Sequence, residues 1–245
     1  HGLLGLEFHC YPESEEAMAY RLRYYLRLDD DLPRIYSRIS MDDRMRRAIS
    51  RFHGLRLLRQ EPWECLLSFI LSINSNIGRI GVSIETLCRR LGGKLELNDQ
   101  VRYSFPIPQQ VVGVGEAGLR LMGMGFRAKY MAETARIIGE DGYDLDGLRE
   151  LSYEDAKREL MAFPGVGDKV ADCVLLFSLD KLESFPIDRW VRRAVEEWYL
   201  GGESASDEAI REWALHYFGP YAGYAQQYLF HLRRLQSSVP PDGGS

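Results

Sequence analysis

Apolar residues recur at helical spacing along almost the entire chain, and this periodicity restricts the fold more than any other feature. Ser40 with Asp43 and Ser152 with Asp155 are patterns typical of helix starts. Strand signals are nearly absent: only residues 3–11 carry them, and that segment would be an edge fragment in need of a partner. The sequence therefore predicts a mainly α fold, with helices over residues 14–27, 62–73, 76–91, 126–140, 169–179, 188–199, 206–217 and 221–236.

The charge balance excludes nucleic-acid binding through overall charge. The 245 residues include 31 Lys and Arg against 36 Asp and Glu, which gives a formal net charge of −5. Because proteins that bind nucleic acid by bulk charge are strongly basic, such a role here requires a local basic face. The longest apolar-rich stretch, residues 65–73, is far too short to span a bilayer, so no membrane association is expected.

The four cysteines argue against a metal or disulfide framework. Cys10, Cys65, Cys88 and Cys173 are widely spaced and form no CxxC pair. The sequence also shows no signal-peptide pattern. We therefore expect an intracellular protein, located in the nucleus if the source is eukaryotic and in the cytoplasm or nucleoid if it is prokaryotic.

A Pro164-Gly165-Val166-Gly167 turn between two helical patterns is the most informative local motif. Its glycines permit a positive φ, and without side chains they let the backbone N–H groups approach a phosphate at the start of the next helix. Such a hairpin can bind a nucleic-acid backbone without reading its sequence. A plain turn between two helices is the alternative, and a bare GxG motif favours it.

Lys169 and Asp188 are the candidate reactive pair. Lys169 lies in the first turn of an apolar helix, where the helix dipole and partial burial both disfavour a positive charge. A neutral amine is the form that attacks a sugar carbon. Asp188 follows nineteen residues later at the start of another helix, where a capping role would explain it by itself. Across a cleft from Lys169, its carboxylate would stabilise a positively charged sugar.

At this point the sequence resembles the helix-hairpin-helix DNA glycosylases, and within them the 8-oxoguanine DNA glycosylases of the eukaryotic type. The resemblance extends over residues 15–235 and rests on 54–62, 64–65, 69–70, 74–80, 123–130, 165–173, 219–226 and Phe230. It implies two helical subdomains with the hairpin at the cleft between them. Residues 13–60 and 165–236 would form one subdomain, with the second half of the hairpin, and residues 61–164 a helical bundle. Residues 1–12 would be the remnant of an N-terminal β-sheet domain, and 237–245 a disordered tail.

The resemblance also implies a role for each site residue. Lys169 would displace the damaged base and form a Schiff base with the sugar, supported by Asp188. Cys173 and Phe230 would sandwich the flipped purine, and Gln226 would read its Watson–Crick edge. Taken one by one, Cys173 and Phe230 are equally typical of core packing and Gln226 of a solvent-exposed helix face.

Further residues would contact the DNA around the flipped base. Asn74, Arg79 and Arg127 would address the orphaned cytosine, and Phe126 would wedge into the gap. The backbone of Gly165, Val166 and Gly167 would contact a phosphate. A structural monovalent or divalent cation, bound by the carbonyls of Met161, Phe163 and Val166, is the only ion implied, and no cofactor is required. Alone, Arg127 is equally typical of a solvated face, and Asn74 of a turn.

The function implied is that of a monomeric, bifunctional enzyme of double-stranded DNA. It would excise 8-oxoguanine opposite cytosine and cleave the abasic site by β-elimination through a lysine Schiff base. Two alternatives remain: a glycosylase/lyase for another damaged purine, and a non-catalytic helix-hairpin-helix DNA-binding module. The second has no need of Lys169 and Asp188.

Two positions depart from the family pattern. Trp190 stands where the family usually has a His, and Arg233 where it has the Asp partner of that His, so Arg189 or Arg192 would replace the phosphate contact made there. We expect a basic cleft on an otherwise acidic protein, with salt-sensitive DNA binding. The arginines near the proposed site elements are Arg79, Arg127, Arg189, Arg192, Arg193, Arg233 and Arg234.

Overall fold

The computed structural model describes residues 7–10 and 13–238. Within them the chain forms twelve α-helices, two short 3-10 helices and a two-stranded sheet, which confirms the mainly α prediction. The first six helices are α1 Glu15–Tyr25, α2 Leu32–Ile39, α3 Asp43–Arg51, α4 Pro62–Leu71, α5 Ile77–Leu91 and α6 Pro108–Leu121. The others are α7 Arg127–Gly139, α8 Tyr153–Met161, α9 Asp168–Ser178, α10 Arg189–Tyr199, α11 Asp207–Phe218 and α12 Ala222–Ser238. The 3-10 helices are Asp146–Glu150 and Gly219–Tyr221.

Side-chain caps fix the starts of several helices. Ser152 caps α8 as predicted, because its hydroxyl accepts a hydrogen bond from the Asp155 N–H at 3.1 Å. The predicted cap at Ser40 is wrong. α3 begins after Asp42, whose carboxylate accepts the N–H groups of two residues in the first turn at 2.8 and 2.9 Å. Ser40 instead ends α2, where its hydroxyl donates to the Tyr36 carbonyl at 2.6 Å.

A β-hairpin follows α5, and the expectation that strands are nearly absent is wrong there. Strands β1 Lys94–Leu97 and β2 Gln100–Tyr103 pair antiparallel, with Leu97 opposite Gln100. Asn98 and Asp99 form the connecting two-residue turn with φ of 45° and 61°, values that Asn and Asp tolerate better than other residues with side chains. By contrast, residues 7–10 form no strand, and the rest of segment 3–11 apart from these residues lies outside the described residues.

Two hydrophobic cores share α9. The first core contains buried residues from α4 to α9, and the second contains residues from α2, α3 and α9 to α12. Within α9, Val174 and Leu175 belong to the first core while Leu176 belongs to the second. The predicted boundary at residue 165 stays a prediction, because the helix just after it contributes to both cores.

At the C-terminus, α12 continues to Ser238, so the first two residues of the predicted tail are helical. The remaining tail residues, 239–245, lie outside the described residues, as do 1–6 and 11–12 of the predicted sheet remnant. Among the helices described, none is both long and apolar enough to cross a membrane.

Candidate active site

The hairpin predicted from the Pro-Gly-Val-Gly motif joins α8 to α9. Gly165 has a φ of +79°, and a Cβ atom there would lie 2.5 Å from Cδ2 of Tyr130. Gly167 caps α9 in an extended conformation with a φ of −105° and an open surface around it. A positive φ is therefore required at Gly165. The expectation that Gly167 also uses a positive φ is wrong. Both glycines are exposed, whereas the side chain of Val166 is buried.

This difference predicts that the same substitution has effects of different size on stability at the two glycines. Gly165→Ala should lower the free energy of unfolding by about 1–3 kcal/mol, because it strains the backbone and collides with Tyr130. Gly167→Ala, the matched control, should change it by less than about 0.5 kcal/mol. Urea unfolding of both variants measures the difference, and equal stabilities would contradict the assigned backbone geometry.

Lys169 is the second residue of α9 and its side chain is exposed to solvent. The expectation that it is partly buried is therefore wrong: most residues of α9 from Val170 onward are buried, whereas its first two residues are exposed. An exposed amine at the mouth of the hairpin is accessible to a large substrate without any rearrangement.

Asp188 caps α10 and is half-buried. Its Oδ1 accepts hydrogen bonds from the N–H groups of Trp190 at 2.9 Å and Val191 at 2.8 Å. The capping role anticipated for it is thus present. Since both bonds use the same oxygen, the carboxylate keeps Oδ2 for a second task.

Cys173 connects these two groups. It lies one turn after Lys169 on α9 and is buried. Burial raises the pKa of its thiol to about 12, the positive charge of Lys169 acts in the opposite direction, and the negative charges of Asp172 and Asp188 raise it further. Lys169, one turn earlier on α9, and Asp188, at the start of α10, therefore both lie within electrostatic range of the Cys173 thiol.

Gln226 and Phe230 lie four residues apart on α12 and so share a face of that helix. Gln226 is buried, which rules out the alternative of a solvent-exposed side chain. Its Nε2 donates to the Pro186 carbonyl at 2.9 Å, and its Oε1 accepts from Gln227 at 2.6 Å. Through Pro186, α12 is tied to the segment that ends in Asp188. Phe230 is half-buried, with the Arg234 guanidinium 5.3 Å from its ring.

The predicted wedge and cytosine contacts lie together on the bundle side. Phe126, just before α7, is 46% exposed, as a wedge requires. Arg127 is only 5% exposed, and its guanidinium donates to the carbonyls of Ile73 (2.7 Å) and Asn74 (2.9 Å). The alternative of a solvated face is therefore wrong for Arg127. Burial and the nearby charge of Arg79 lower the pKa of Arg127.

Asn74 and Arg79 are both exposed. Asn74 adopts a left-handed conformation with a φ of 49°, and its carbonyl accepts a hydrogen bond from Arg127 that stabilises this conformation. Arg79 lies in the first turn of α5, and its N–H donates to Oδ1 of the cap residue Asn76 at 3.0 Å. The structure thus places four predicted DNA-contacting residues around one turn, with Arg127 as its support.

Fewer arginines are available for the predicted basic cleft than the sequence suggests. Arg192 donates to the Ala205 carbonyl at 2.6 Å and pairs with Asp207. Arg233, at the position of the family's Asp, forms an ion pair with Glu197 on α10 at 2.6 Å. Arg192 is consequently unsuited to the replacement phosphate contact. Exposed arginines remain at Arg79, Arg189, Arg193 and Arg234.

A group of charged side chains that joins α8, α9 and α11 was not anticipated from the sequence. Asp172 is fully buried within α9 and accepts hydrogen bonds from Tyr153 and Arg211. A detectable signal was present, since an Asp inside an apolar helix is rarely buried without partners. We call this group the Asp172 cluster; its members are Tyr153, Lys157, Asp168, Asp172, Ser184 and Arg211.

The three carbonyls predicted to bind a cation belong to the end of α8 and the turn. Met161 is exposed, whereas Phe163 and Val166 are buried. The Phe163 carbonyl accepts the Val166 N–H at 3.1 Å. Among the described residues there is no group of three or more His, Cys, Asp and Glu side chains that could hold a metal.

The chain is similar to known DNA glycosylases in both sequence and structure. The family model described as 8-oxoguanine DNA glycosylase, N-terminal domain, matches residues 7–66. A probable N-glycosylase/DNA lyase of Methanothermobacter thermautotrophicus is 33% identical, over 90% of this chain and 76% of the relative. The N-glycosylase/DNA lyase of Saccharomyces cerevisiae is also 33% identical, over 89% of this chain and 67% of the relative.

The fold agrees with that of a solved relative. The Clostridium acetobutylicum 8-oxoguanine glycosylase/lyase, in complex with double-stranded DNA containing cytosine opposite 8-oxoguanine, superposes with a TM-score of 0.87. It is 34% identical in sequence, and the match covers 93% of this chain and 78% of that one. On this sequence and structural agreement, the chain belongs to the family of 8-oxoguanine DNA glycosylases that are N-glycosylase/DNA lyases.

Proposed function

We propose that this DNA glycosylase with AP lyase activity excises 8-oxoguanine opposite cytosine from double-stranded DNA, as a monomer, and cleaves the resulting abasic site through a Schiff base on Lys169. The observation that carries the proposal is that an exposed Lys169 and the carboxylate of Asp188 both lie within electrostatic range of the buried Cys173 thiol. The Clostridium relative, solved with cytosine opposite 8-oxoguanine, supports the choice of substrate.

In this proposal Lys169 Nζ attacks C1′ of the flipped nucleotide after losing a proton. The bond from C1′ to the base breaks, and its electron pair leaves with the base, which takes up a proton. Asp188 would use Oδ2, the oxygen that does not accept the two cap hydrogen bonds, to stabilise the positive charge that develops on the sugar. Opening of the sugar ring then gives the Schiff base. Loss of a C2′ proton expels the 3′-phosphate and breaks the strand.

The base pocket would be formed by Cys173, Gln226 and Phe230. The Gln226 amide is held in place by the Pro186 carbonyl, which fixes the edge that it presents. Its Oε1 accepts one hydrogen bond from Gln227 and keeps a second lone pair with which it could accept from a purine edge. Phe230 supplies an aromatic face for stacking.

Replacing Phe230 with Ala should separate base recognition from lyase chemistry. We expect base release from 8-oxoguanine duplex to slow by about ten- to a hundredfold, because stacking on an aromatic ring contributes about 1–3 kcal/mol per base. Cleavage of a preformed abasic duplex, which offers no base to stack, should stay within about twofold of the unmodified protein. Equal losses on both substrates, measured by gel assay, would place Phe230 outside the base pocket.

A cation at the hairpin is part of the proposal. Each carbonyl oxygen has two lone pairs, so Phe163 can accept the Val166 N–H and still face an ion together with the carbonyls of Met161 and Val166. The ion would link the hairpin to a DNA phosphate. No chemical step depends on it.

Borohydride trapping tests the function, using duplexes that contain 8-oxoguanine opposite cytosine, an abasic site, or neither. A covalent adduct on the 8-oxoguanine duplex is the expected result. An adduct on the abasic duplex alone would support the lyase activity but not the excision of 8-oxoguanine. That result would favour a glycosylase for another damaged purine. Tight binding without an adduct on any duplex would indicate a non-catalytic DNA-binding module.

A further inference from the structure

α9 carries two pairs of residues spaced four apart, and they have different environments. Lys169 and Cys173 form one pair, and Asp168 and Asp172 the other. Because residues four apart share a helix face, the two pairs occupy adjacent faces of the same helix. The helix begins at Asp168, and its cap residue Gly167 has no side chain that could accept a hydrogen bond from the first turn. The first turn, with Lys169, is therefore fixed by its flanking contacts.

Asp172 is bound from two neighbouring helices. Its Oδ1 accepts from the Tyr153 hydroxyl at 2.7 Å and lies 3.1 Å from Lys157 Nζ, both on α8. Its Oδ2 accepts from Arg211 Nε at 2.9 Å, on α11. A fully buried carboxylate with this many partners has little freedom to move, since each lost partner leaves a buried charge uncompensated.

The side chains of Lys157 and Arg211 also bind Asp168, the residue directly before Lys169. Asp168 lies 3.0 Å from Lys157 and 3.2 Å from Arg211. Although partial burial acts in the opposite direction, these two positive charges lower the pKa of Asp168. Lys157 and Arg211 each bridge both carboxylates, so the start of α9 is clamped between α8 and α11.

The cluster also reaches the segment that carries Asp188. Ser184 Oγ donates to the Asp172 carbonyl at 2.9 Å and lies 3.4 Å from Asp172 Oδ1. Residues 184–187 are all buried and lead directly into Asp188. Asp172 thus contacts both elements of the reactive pair, through Asp168 on one side and Ser184 on the other.

We propose that Arg211 and Asp172 are positioning residues. They hold Lys169, next to Asp188, in the orientation from which its amine attacks C1′. The inference rests on the proposed function, because it assigns a purpose to geometry that only lysine chemistry requires. Neither residue touches the substrate. Their effect is on the fraction of bound complexes in which the amine is aligned with C1′, so they act on the chemical step and not on DNA affinity.

The test uses Arg211→Met, which removes the charge and keeps most of the side-chain volume. At saturating abasic duplex, the single-turnover rate of adduct formation should fall about tenfold or more, because small misplacements of a reacting group are costly. The dissociation constant for DNA should stay within about twofold. Arg211→Lys should recover at least half of the rate, since it restores a positive charge between Asp168 and Asp172.

Arg158→Met is the matched control. Arg158 lies on α8 and lines the same surface cavity as Arg211, but it is exposed and pairs with Asp155 at 2.8 Å. It contacts neither Asp168 nor Asp172, so its rate should equal that of the unmodified protein. If Arg211→Met fails to fold, Ser184→Ala removes a single hydroxyl from the cluster and should slow adduct formation by about threefold or more.

Each other outcome overturns the proposal. A folded Arg211→Met with an unchanged rate at saturation would show that the cluster only stabilises the fold. A higher dissociation constant for DNA, with an unchanged rate of adduct formation at saturating duplex, would assign Arg211 to DNA binding. No rescue by Arg211→Lys would exclude a charge-based clamp. If the unmodified protein itself forms no adduct, the proposed function fails and the inference fails with it, whereas an adduct unaffected by Arg211→Met refutes the inference alone.

Discussion

Lys169→Gln should abolish the borohydride-trapped adduct on 8-oxoguanine and abasic duplexes while leaving DNA affinity within about threefold. The side chain is exposed at the start of α9 and makes no contact that folding requires, so the substitution removes the nucleophile and little else. Base release should fall by a factor of about a thousand or more, as is usual when the group that forms the covalent bond is lost. Single-turnover gel assays and a binding titration measure the two effects.

Lys129→Gln is the control for this experiment. Lys129 is another exposed lysine close to the hairpin, on α7, and we assign it no chemical role. It should form the adduct at the normal rate. Retention of base release in Lys169→Gln would contradict the mechanism, and loss of DNA binding would make Lys169 a structural residue.

Asp188→Asn should separate the two roles of this carboxylate. Asn is as good a helix cap as Asp, so the hydrogen bonds to Trp190 and Val191 can persist and the free energy of unfolding should change by less than about 0.5 kcal/mol. The negative charge near the sugar is lost. We expect the single-turnover rate of base release to fall by about a hundredfold or more, in the range typical for a lost electrostatic contact to a transition state.

Asp188→Ala supplies the comparison, because it removes both roles. It should show the same loss of rate and, in addition, a loss of about 1 kcal/mol in unfolding free energy from the uncapped start of α10. Urea unfolding and rate measurements on both variants separate the effects. Normal activity in Asp188→Asn would leave Asp188 with the capping role alone.

Local turn and cap chemistry made much of the site predictable. The hairpin and the Asp188 cap depend on neighbouring residues, so the sequence contains the information needed to place them. The partners of charged side chains lie far along the chain. Arg127 binds the carbonyls of Ile73 and Asn74, and Arg233 binds Glu197. No local pattern reveals such contacts, so arginines that brace the fold are indistinguishable in sequence from arginines that face DNA.

The missed β-hairpin has a different cause. Both of its strands are only four residues long and largely exposed, so they lack the alternation of buried and exposed positions that identifies a strand. Only the Asn98-Asp99 turn marked the position. The burial of Lys169 was predicted wrongly because helical periodicity gives the apolar face of α9 but not the point where neighbouring elements stop covering its first turn.

The sharing of α9 by two cores has a mechanical consequence. Because Val174 packs in one core and Leu176 in the other, the two halves of the protein cannot rotate apart without tearing this helix from one of them. The amine at its start is thus carried by a helix that both cores hold in place. We expect the duplex, whose bending and unstacking cost only a few kcal/mol, to deform to meet it. The protein would then favour a lesion that weakens base stacking, because the duplex deforms more easily there. This preference would act before any atom of the base is contacted.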